Sequence, residues 1–402
     1  MVRPDCSSEE SAGDPAPDAL LTPAFVRVMG AQLAIGFGFS IYFLLPKYLA
    51  TALHAGPTTI GTVMSTSLAA AVATTPMMGA LLDRYGRRIP MALSALVVVV
   101  ASLGMLRVRE VGALLYALRL LQGVGFALGF NAAAALVADI APLGRLGQAM
   151  GLLGTASLIT NAIAPALFEG VAARWGWAPV FAAASFTGLV TLAVTFSLPR
   201  PRANDVTFSA GTATATPTLT TSRINAATLA TGAAFGTLIS FTQPFALARG
   251  AERVSTYLVG YTLGALVVRI ALGSLADRVG RQRVAQWSLF AYGAVALLTS
   301  LLEPSLLLPL GILFGAAHGF LYPALAALAA DGASPERRGR TLANFNAAFN
   351  SGAGLAMLGG GWVAHAGGYP ALFGLVGLIT LTSVLSLSAS PAKLLLPPES
   401  KP

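Results

Sequence analysis

Two segments of this chain share one pattern: residues 79–88 read GALLDRYGRR, and residues 273–283 read GSLADRVGRQR. Each copy ends one apolar segment and begins the next, with a charged turn between them. The central aspartates, Asp83 and Asp277, are 194 residues apart, about half of the 402-residue chain. A membrane hairpin signal that recurs at this spacing indicates a two-halved polytopic membrane protein and favours a transporter.

The composition favours the same class of protein. The chain is 55% hydrophobic and 10% charged, with a mean hydropathy of +0.72, whereas soluble domains carry about a quarter charged residues. Apolar segments of roughly 18 to 25 residues recur, and each is long enough to cross a bilayer. We place transmembrane helices 1 to 12 at 24–46, 58–82, 89–107, 111–139, 147–170, 176–198, 223–247, 255–276, 284–302, 305–331, 339–365 and 369–388.

The net charge of +9 follows the predicted loops and does not imply nucleic-acid binding. Of the 25 Lys and Arg residues, 17 fall on the side of the two termini and six on the opposite side. By the positive-inside rule this bias predicts a multi-pass protein of the bacterial inner (plasma) membrane with cytoplasmic N- and C-termini. We therefore expect a monomer in the lipid bilayer, with no nucleic-acid partner.

The longest polar segment, residues 199–222, divides the chain. Its run of Pro, Arg, Thr, Ala and Ser predicts a flexible cytoplasmic linker. The linker separates two six-helix bundles at 23–198 and 223–390. We expect a disordered cytoplasmic tail at 1–22 and a cytoplasmic tail at 391–402.

Landmarks keep one register across this linker, which indicates duplication rather than a chance repeat. The prediction is an all-α membrane fold in which two six-helix bundles are related by pseudo-symmetry. Three pairs of landmarks share an offset of 192 residues: Asp139 with Asp331, Gly147 with Gly339, and Gly176-Trp177 with Gly368-Tyr369.

The duplicated pattern resembles the signature of the major facilitator superfamily, and the resemblance covers residues 24–388. Residues 119–125, RLLQGVG, are similar to that family's helix 4 motif, which embeds an arginine. Residues 315–323, GAAHGFLYP, and 338–340, RGR, resemble bacterial 12-helix exporters of the multidrug and arabinose-efflux type. The resemblance implies the major facilitator fold and secondary transport by alternating access, most simply proton-coupled efflux.

The same resemblance implies a latch between the halves. In the superfamily the motif aspartate faces the positive N-terminal end of a helix in the opposite half. This would place Asp83 near the start of helix 11 and Asp277 near the start of helix 5. The alternative is a charged turn anchored at lipid headgroups. The latch residues are then Gly79, Asp83, Arg84, Gly86 and Arg87 in the first half and Gly273, Asp277, Arg278, Gly280 and Arg281 in the second.

Two arginines inside predicted helices are candidates for proton coupling. A guanidinium within hydrocarbon should face a cavity or a partner. The resemblance implies that Arg119 influences proton movement, although pairing with carbonyl groups or snorkelling is an alternative. Arg269 is a second candidate for proton coupling. The alternative, equally consistent with the sequence, is that Arg269 pairs with the region of Asp277.

Glu169 and His318 are the other coupling candidates. Glu169 is the one carboxylate within a helix body, near the outer end of helix 5. It follows a degenerate form of the family's antiporter motif, in which Ala164 replaces the glycine before Pro165. His318 lies midway along helix 10 and can exchange a proton near neutral pH, but a neutral histidine bonded to a neighbouring helix is the alternative.

Amides, hydroxyls and an aromatic residue are the candidates for the substrate cavity. Buried amides in lipid need hydrogen-bond partners, so some line the central path and others join helices. Because no acidic pair or basic cluster marks the site, we expect an amphipathic substrate that is neutral or weakly cationic rather than a phosphate. The candidates are Gln32, Ser40, Tyr42, Asn131, Asn161, Gln243, Asn346 and Asn350.

An enzyme is not expected. His54, His318 and His365 are far apart, with no metal-ligand spacing, and the chain has no Gly-x-Ser-x-Gly elbow or phosphate loop. We therefore predict no cofactor, no metal and no direct use of ATP, and an ion gradient drives transport. Proton-coupled uptake of a small metabolite and a non-transporting sensor on the same scaffold are the alternatives.

Overall fold

The computed structural model describes residues 20–142, 144–198, 219–271, 279–331 and 338–388. Most of the predicted tails and linker lie outside the described residues. So do three of the predicted latch residues, Gly273, Asp277 and Arg278.

The described residues form helices and no strand, which confirms the predicted all-α fold. Twelve helices are present in this part of the chain. They are α1 (Pro23–Thr51), α2 (Pro57–Tyr85), α3 (Arg88–Met105), α4 (Ala113–Ile140), α5 (Leu146–Trp175), α6 (Trp177–Phe196), α7 (Leu219–Ala248), α8 (Ser255–Ala271), α9 (Arg281–Thr299), α10 (Leu307–Asp331), α11 (338–367) and α12 (369–388).

Nine of the described helices are long and apolar enough to cross a membrane, with α11 and α12 counted as one continuous run. The described part of α8, Ser255–Ala271, is apolar but shorter. The α9 helix begins with Arg281, Gln282 and Arg283, which lower its hydropathy.

Helices α1 and α5 extend beyond their predicted ends; a proline explains how α1 continues, and a glycine explains where α5 ends. The α1 helix continues to Thr51, because a 3₁₀ turn at Tyr42–Leu44 places Pro46 in the first turn of the next helical segment, where its missing N–H is tolerated. The α5 helix continues to Trp175 and ends at Gly176, which has a φ of +79°. Gly368, with a φ of +78°, separates α11 from α12 in the same way.

Helix pairings repeat between the two halves. In the first half α2 packs on α4 and α3 on α6; in the second half α8 packs on α10 and α9 on α12. Between the halves, α2 packs on α11 and α5 on α8. Each of these cross-half pairs is the counterpart of the other under the repeat, as a duplicated fold requires.

Glycines permit the closest of these approaches. A Cβ built on Gly123 of α4 would collide with the carbonyl oxygen of Ser67 in α2. A Cβ on Gly315 of α10 would collide with the carbonyl oxygen of Tyr261 in α8. The two glycines are 192 residues apart, so the same small-residue contact is built twice.

Successive helices alternate in direction, so α1 begins and α12 ends on one side of the molecule. We call this side the terminal face and the opposite side the far face. The charged motifs lie at the terminal face, and the loops that contain Arg109 and Glu303 lie at the far face.

Candidate functional site: the interface between the two halves

Motif arginines at the terminal face bind aspartates within their own half. Arg87 Nε lies 2.9 Å from Asp139 Oδ2, at the end of α4. In the second half, Arg281 Nη1 lies 2.7 Å from each carboxylate oxygen of Asp331, at the end of α10. In the sequence, the two aspartates are only landmarks of the repeat; in the structure they are the partners of the motif arginines.

Asp83 is exposed at the end of α2, and it makes no hydrogen bond or ion pair with another described residue. Arg84 is exposed, with its guanidinium 5.3 Å from the Tyr85 ring centre. Gly86, with a φ of +70°, ends α2, and Gly79 and Gly280 lie at the same face. Among the described residues, no contact of Asp83 with the second half is present.

Glu169 joins the halves at the far face. Its Oε1 accepts hydrogen bonds from Lys47 Nζ at 2.6 Å and from the backbone N–H of Val254 at 2.8 Å, and its Oε2 accepts from the backbone N–H of Ser255 at 2.8 Å. Ser255 begins α8, so the carboxylate lies at the positive end of that helix. The Glu169 side chain is only 4% exposed. One buried carboxylate of α5 therefore holds both a cation of its own half and a helix of the other half.

Further contacts across the halves lie at the same face. Lys47 Nζ donates to the carbonyl oxygen of Glu252 at 2.9 Å, and Gln243 Nε2 donates to the carbonyl oxygen of Phe43 at 2.5 Å. A Cβ on Gly61 of α2 would collide with the backbone of α11, and one on Gly361 of α11 would collide with the backbone of α2. The halves are therefore closed at the far face.

Arg119 lies inside the first half, and each of its three guanidinium nitrogens donates a hydrogen bond. Nε donates to the carbonyl oxygen of Val63 at 3.2 Å, and Nη1 donates to Gln122 Oε1 at 2.5 Å. Nη2 donates to Ser67 Oγ. These bonds join α4 to α2.

His318 lies in a cluster of aromatic rings in the second half. The His318 ring centre is 5.1 Å from Phe235, 5.6 Å from Tyr322 and 6.1 Å from Phe349. Tyr292 Oη lies 3.2 Å from His318 Nδ1. The side chain is partly exposed, so one edge of the cluster is accessible.

The predicted cavity residues divide into three groups. Three join α1 to neighbouring helices of its own half: Gln32 to Ser157 (3.0 Å), Ser40 to Asn161 (2.8 Å) and Tyr42 to Ser102 (2.8 Å). Gln243 joins the halves, as described above. Asn131 bonds to its own helix at the Ala127 carbonyl (2.7 Å), Asn346 accepts from the Tyr322 hydroxyl, and Asn350 is partly exposed.

Sequence reasoning missed the residues whose partners are distant along the chain. In the sequence, Lys47 is only one of the six Lys and Arg residues on the side opposite the termini; in the structure it binds Glu169, 122 residues away. Tyr322 was noted only as part of the exporter-like stretch 315–323, and Phe235 had no signal apart from being aromatic. Among the described residues, no three His, Cys, Asp or Glu side chains form a group that could hold a metal ion.

Comparison with known proteins identifies the family to which this architecture corresponds. The chain matches the model of the Major Facilitator Superfamily over residues 28–260 and 224–402. A triacylglyceride transporter of Mycolicibacterium hassiacum is 34% identical over 118 residues, which are 28% of this chain and 22% of that protein. The chain thus matches only about a fifth of the length of this curated relative.

Two solved transporter structures share the fold. The nucleoside transporter NupG superposes with a TM-score of 0.77 at 12% identity, covering 92% of this chain and 99% of NupG. The human organic anion transporter MFSD10 superposes with a TM-score of 0.66 at 18% identity, covering 91% of this chain and all of MFSD10. At these identities the similarity concerns the fold alone.

Proposed function

Because the chain belongs to the major facilitator superfamily, we propose that it works by alternating access as a proton-coupled exporter of a small amphipathic organic molecule. Family membership makes the chain a multi-pass membrane transporter rather than an enzyme. The direction, the coupling ion and the cargo are the proposed part.

The observation that carries this proposal is the asymmetry of the interface. Glu169, Gln243 and Gly61 hold the halves together at the far face, whereas Asp83 at the terminal face makes no ion pair or hydrogen bond with a described residue. A transporter that alternates between two closures needs separate contacts at each face. We infer that this arrangement is the far-closed state and that the Asp83 latch forms in the other state.

Glu169 is the strongest candidate for coupling this movement to protons. Protonation of the carboxylate would remove its ion pair with Lys47 and its attraction to the N-terminus of α8. Both changes weaken the far-face closure. Arg119, His318 and Arg269 remain secondary candidates, since none of them forms an ion pair with a described carboxylate.

The membrane and the orientation are part of the same proposal. We place the chain in a bacterial inner membrane with its terminal face towards the cytoplasm, so the far-closed state faces inward. Reporter fusions after Arg87 and after Arg283 should both report a cytoplasmic position. Opposite positions for the two sites would contradict the duplicated topology.

Transport in membrane vesicles tests direction and coupling together. Energised everted vesicles that contain the chain should accumulate ethidium or 2-naphthoate, and a protonophore should abolish the accumulation. Vesicles with the Asp83→Asn variant provide the control. Accumulation only in right-side-out vesicles would favour the uptake symporter, and no flux in either preparation would favour the sensor.

A further inference from the structure

Arg269 lies where the two halves meet. It belongs to α8 of the second half, but its Nη1 lies 3.0 Å from the position of a Cβ built on Gly154 of α5 in the first half. A side chain at this position would press on the guanidinium, so Gly154 gives it room. The α5 and α8 helices pack against each other across the halves. The guanidinium therefore lies at the interface between the halves.

No protein group neutralises this cation in the described part of the chain. Arg269 forms no hydrogen bond or ion pair with another described residue, and its side chain is partly exposed. Arg119, by contrast, uses all three of its nitrogens. Glu169 is already engaged at the far face. The remaining described carboxylates lie at helix ends or in loops: Asp83, Glu110, Asp139, Glu252, Glu303 and Asp331.

The surroundings of Arg269 suit an aromatic ligand. Arg269 follows Val268, whose side chain lies 3.2 Å from a Cβ built on Gly319, the neighbour of His318. His318 and Tyr322 are partly exposed, as is Phe235, whose ring centre lies 5.1 Å from that of His318. Offset or tilted aromatic stacking at such distances is favourable. A flat apolar group could pack on these rings while an anionic group binds the guanidinium.

We propose that Arg269 binds the anionic group of the transported molecule, and that the cargo is an organic monoanion with an aromatic or similarly flat body. A guanidinium within a membrane helix that has no carboxylate partner in the described part of the chain is costly, and a carboxylate ligand offsets that cost with charge-assisted hydrogen bonds. The single positive charge of Arg269 matches a cargo with one negative charge. This inference rests on the proposed transport cavity, and it differs from the neutral or weakly cationic cargo expected from sequence.

Binding of three probes of the same shape tests the proposal. The purified full chain is titrated calorimetrically with 2-naphthoate, 2-naphthamide and 2-naphthylmethylamine, which are anionic, neutral and cationic. The parent chain should bind 2-naphthoate about tenfold more tightly than the amide, since a hydrogen bond to a charged group contributes about that much. Arg269→Gln should remove the preference, and Arg269→Lys should retain part of it.

Arg107→Gln is the matched control, because it removes the same charge from an exposed far-face loop and should leave the preference unchanged. Gel filtration and thermal unfolding of each variant show whether it is folded. Equal binding of the amide or the amine by the parent, survival of the preference in Arg269→Gln, or no binding of 2-naphthoate at about 1 mM would each overturn the proposal.

The outcome is separable from that of the vesicle experiment, because binding is measured without a gradient. An Arg269-dependent preference without proton-driven flux would contradict the proposed exporter and leave the binding site standing. Export of ethidium by a chain that does not prefer 2-naphthoate would support the proposed exporter and contradict the Arg269 binding site.

Discussion

Glu169 is the residue on which the far-face contact depends most, because its carboxylate accepts hydrogen bonds from a side chain and from two backbone N–H groups of the other half. Replacing it by Gln keeps the shape but removes the charge. The far-closed state should lose about 1.5–3 kcal/mol, the contribution of hydrogen bonds to a charged group. Thermal unfolding of the purified chain measures this loss.

Glu110→Gln is the control for that measurement, since Glu110 is exposed in a far-face loop and has no described partner. Its unfolding midpoint should equal that of the parent. Equal midpoints for the parent and Glu169→Gln would show that the carboxylate does not hold the closure.

Variants of Arg119 distinguish a role in proton coupling from a structural role. Its three hydrogen bonds join α4 to α2, so Arg119→Ala leaves acceptors on both helices unpaired. If Arg119 takes part in coupling, Arg119→Lys should lose gradient-driven export but retain exchange of labelled for unlabelled cargo. Export equal to that of the parent in both variants would exclude Arg119 from coupling.

At the scale of elements, the close approach of α8 and α10 depends on Gly315. A Cβ at this position would collide with the carbonyl oxygen of Tyr261, which belongs to the backbone and cannot rotate away. Gly315→Ala should therefore destabilise the chain by about 1–3 kcal/mol, the usual cost of overpacking. The comparison is Gly374→Ala in α12, where no atom lies within 4 Å of the added Cβ.

Unfolding midpoints decide between the two glycines. Gly374→Ala should be neutral or slightly stabilising, because alanine favours a helix more than glycine does. A midpoint for Gly315→Ala at or above that of Gly374→Ala would mean that α8 and α10 are not packed as described.

The elements themselves could be predicted from sequence because apolar length and repeated landmarks are local signals. Boundaries failed where the effect of one residue depends on its surroundings: Pro46 predicts a helix end, but the 3₁₀ turn before it lets α1 continue. Partnerships such as Arg87 with Asp139 could not be predicted, because they depend on how α2 and α4 pack. The contacts of Glu169 across the halves could not be predicted either, because they depend on how α5 packs against α8.

At the scale of the whole molecule, the duplicated motif predicted two related halves, and the family match and the repeated helix pairings agree with that fold. The state of the transporter could not be predicted, because one sequence encodes both closures. The partners of Asp83 are expected only in the terminal-closed state.

Asp83→Asn should therefore insert normally and retain the far-closed state, yet lose most of its transport. The amide cannot provide the negative charge that the latch requires at the N-terminus of α11. Vesicle transport measures the loss, and membrane content of the variant measures insertion. Near-parental turnover would reject the latch and favour the charged-turn interpretation.

The most direct test of alternating access measures distances at both faces in one chain. With Cys6 replaced by Ser, spin-label pairs are placed at positions 109 and 303 on the far face and at 85 and 283 on the terminal face, all exposed. In Glu169→Gln the far-face distance should lengthen and the terminal-face distance should shorten relative to the parent. Unchanged distances, or two distances that change in the same direction, would contradict movement of the halves about a central cavity.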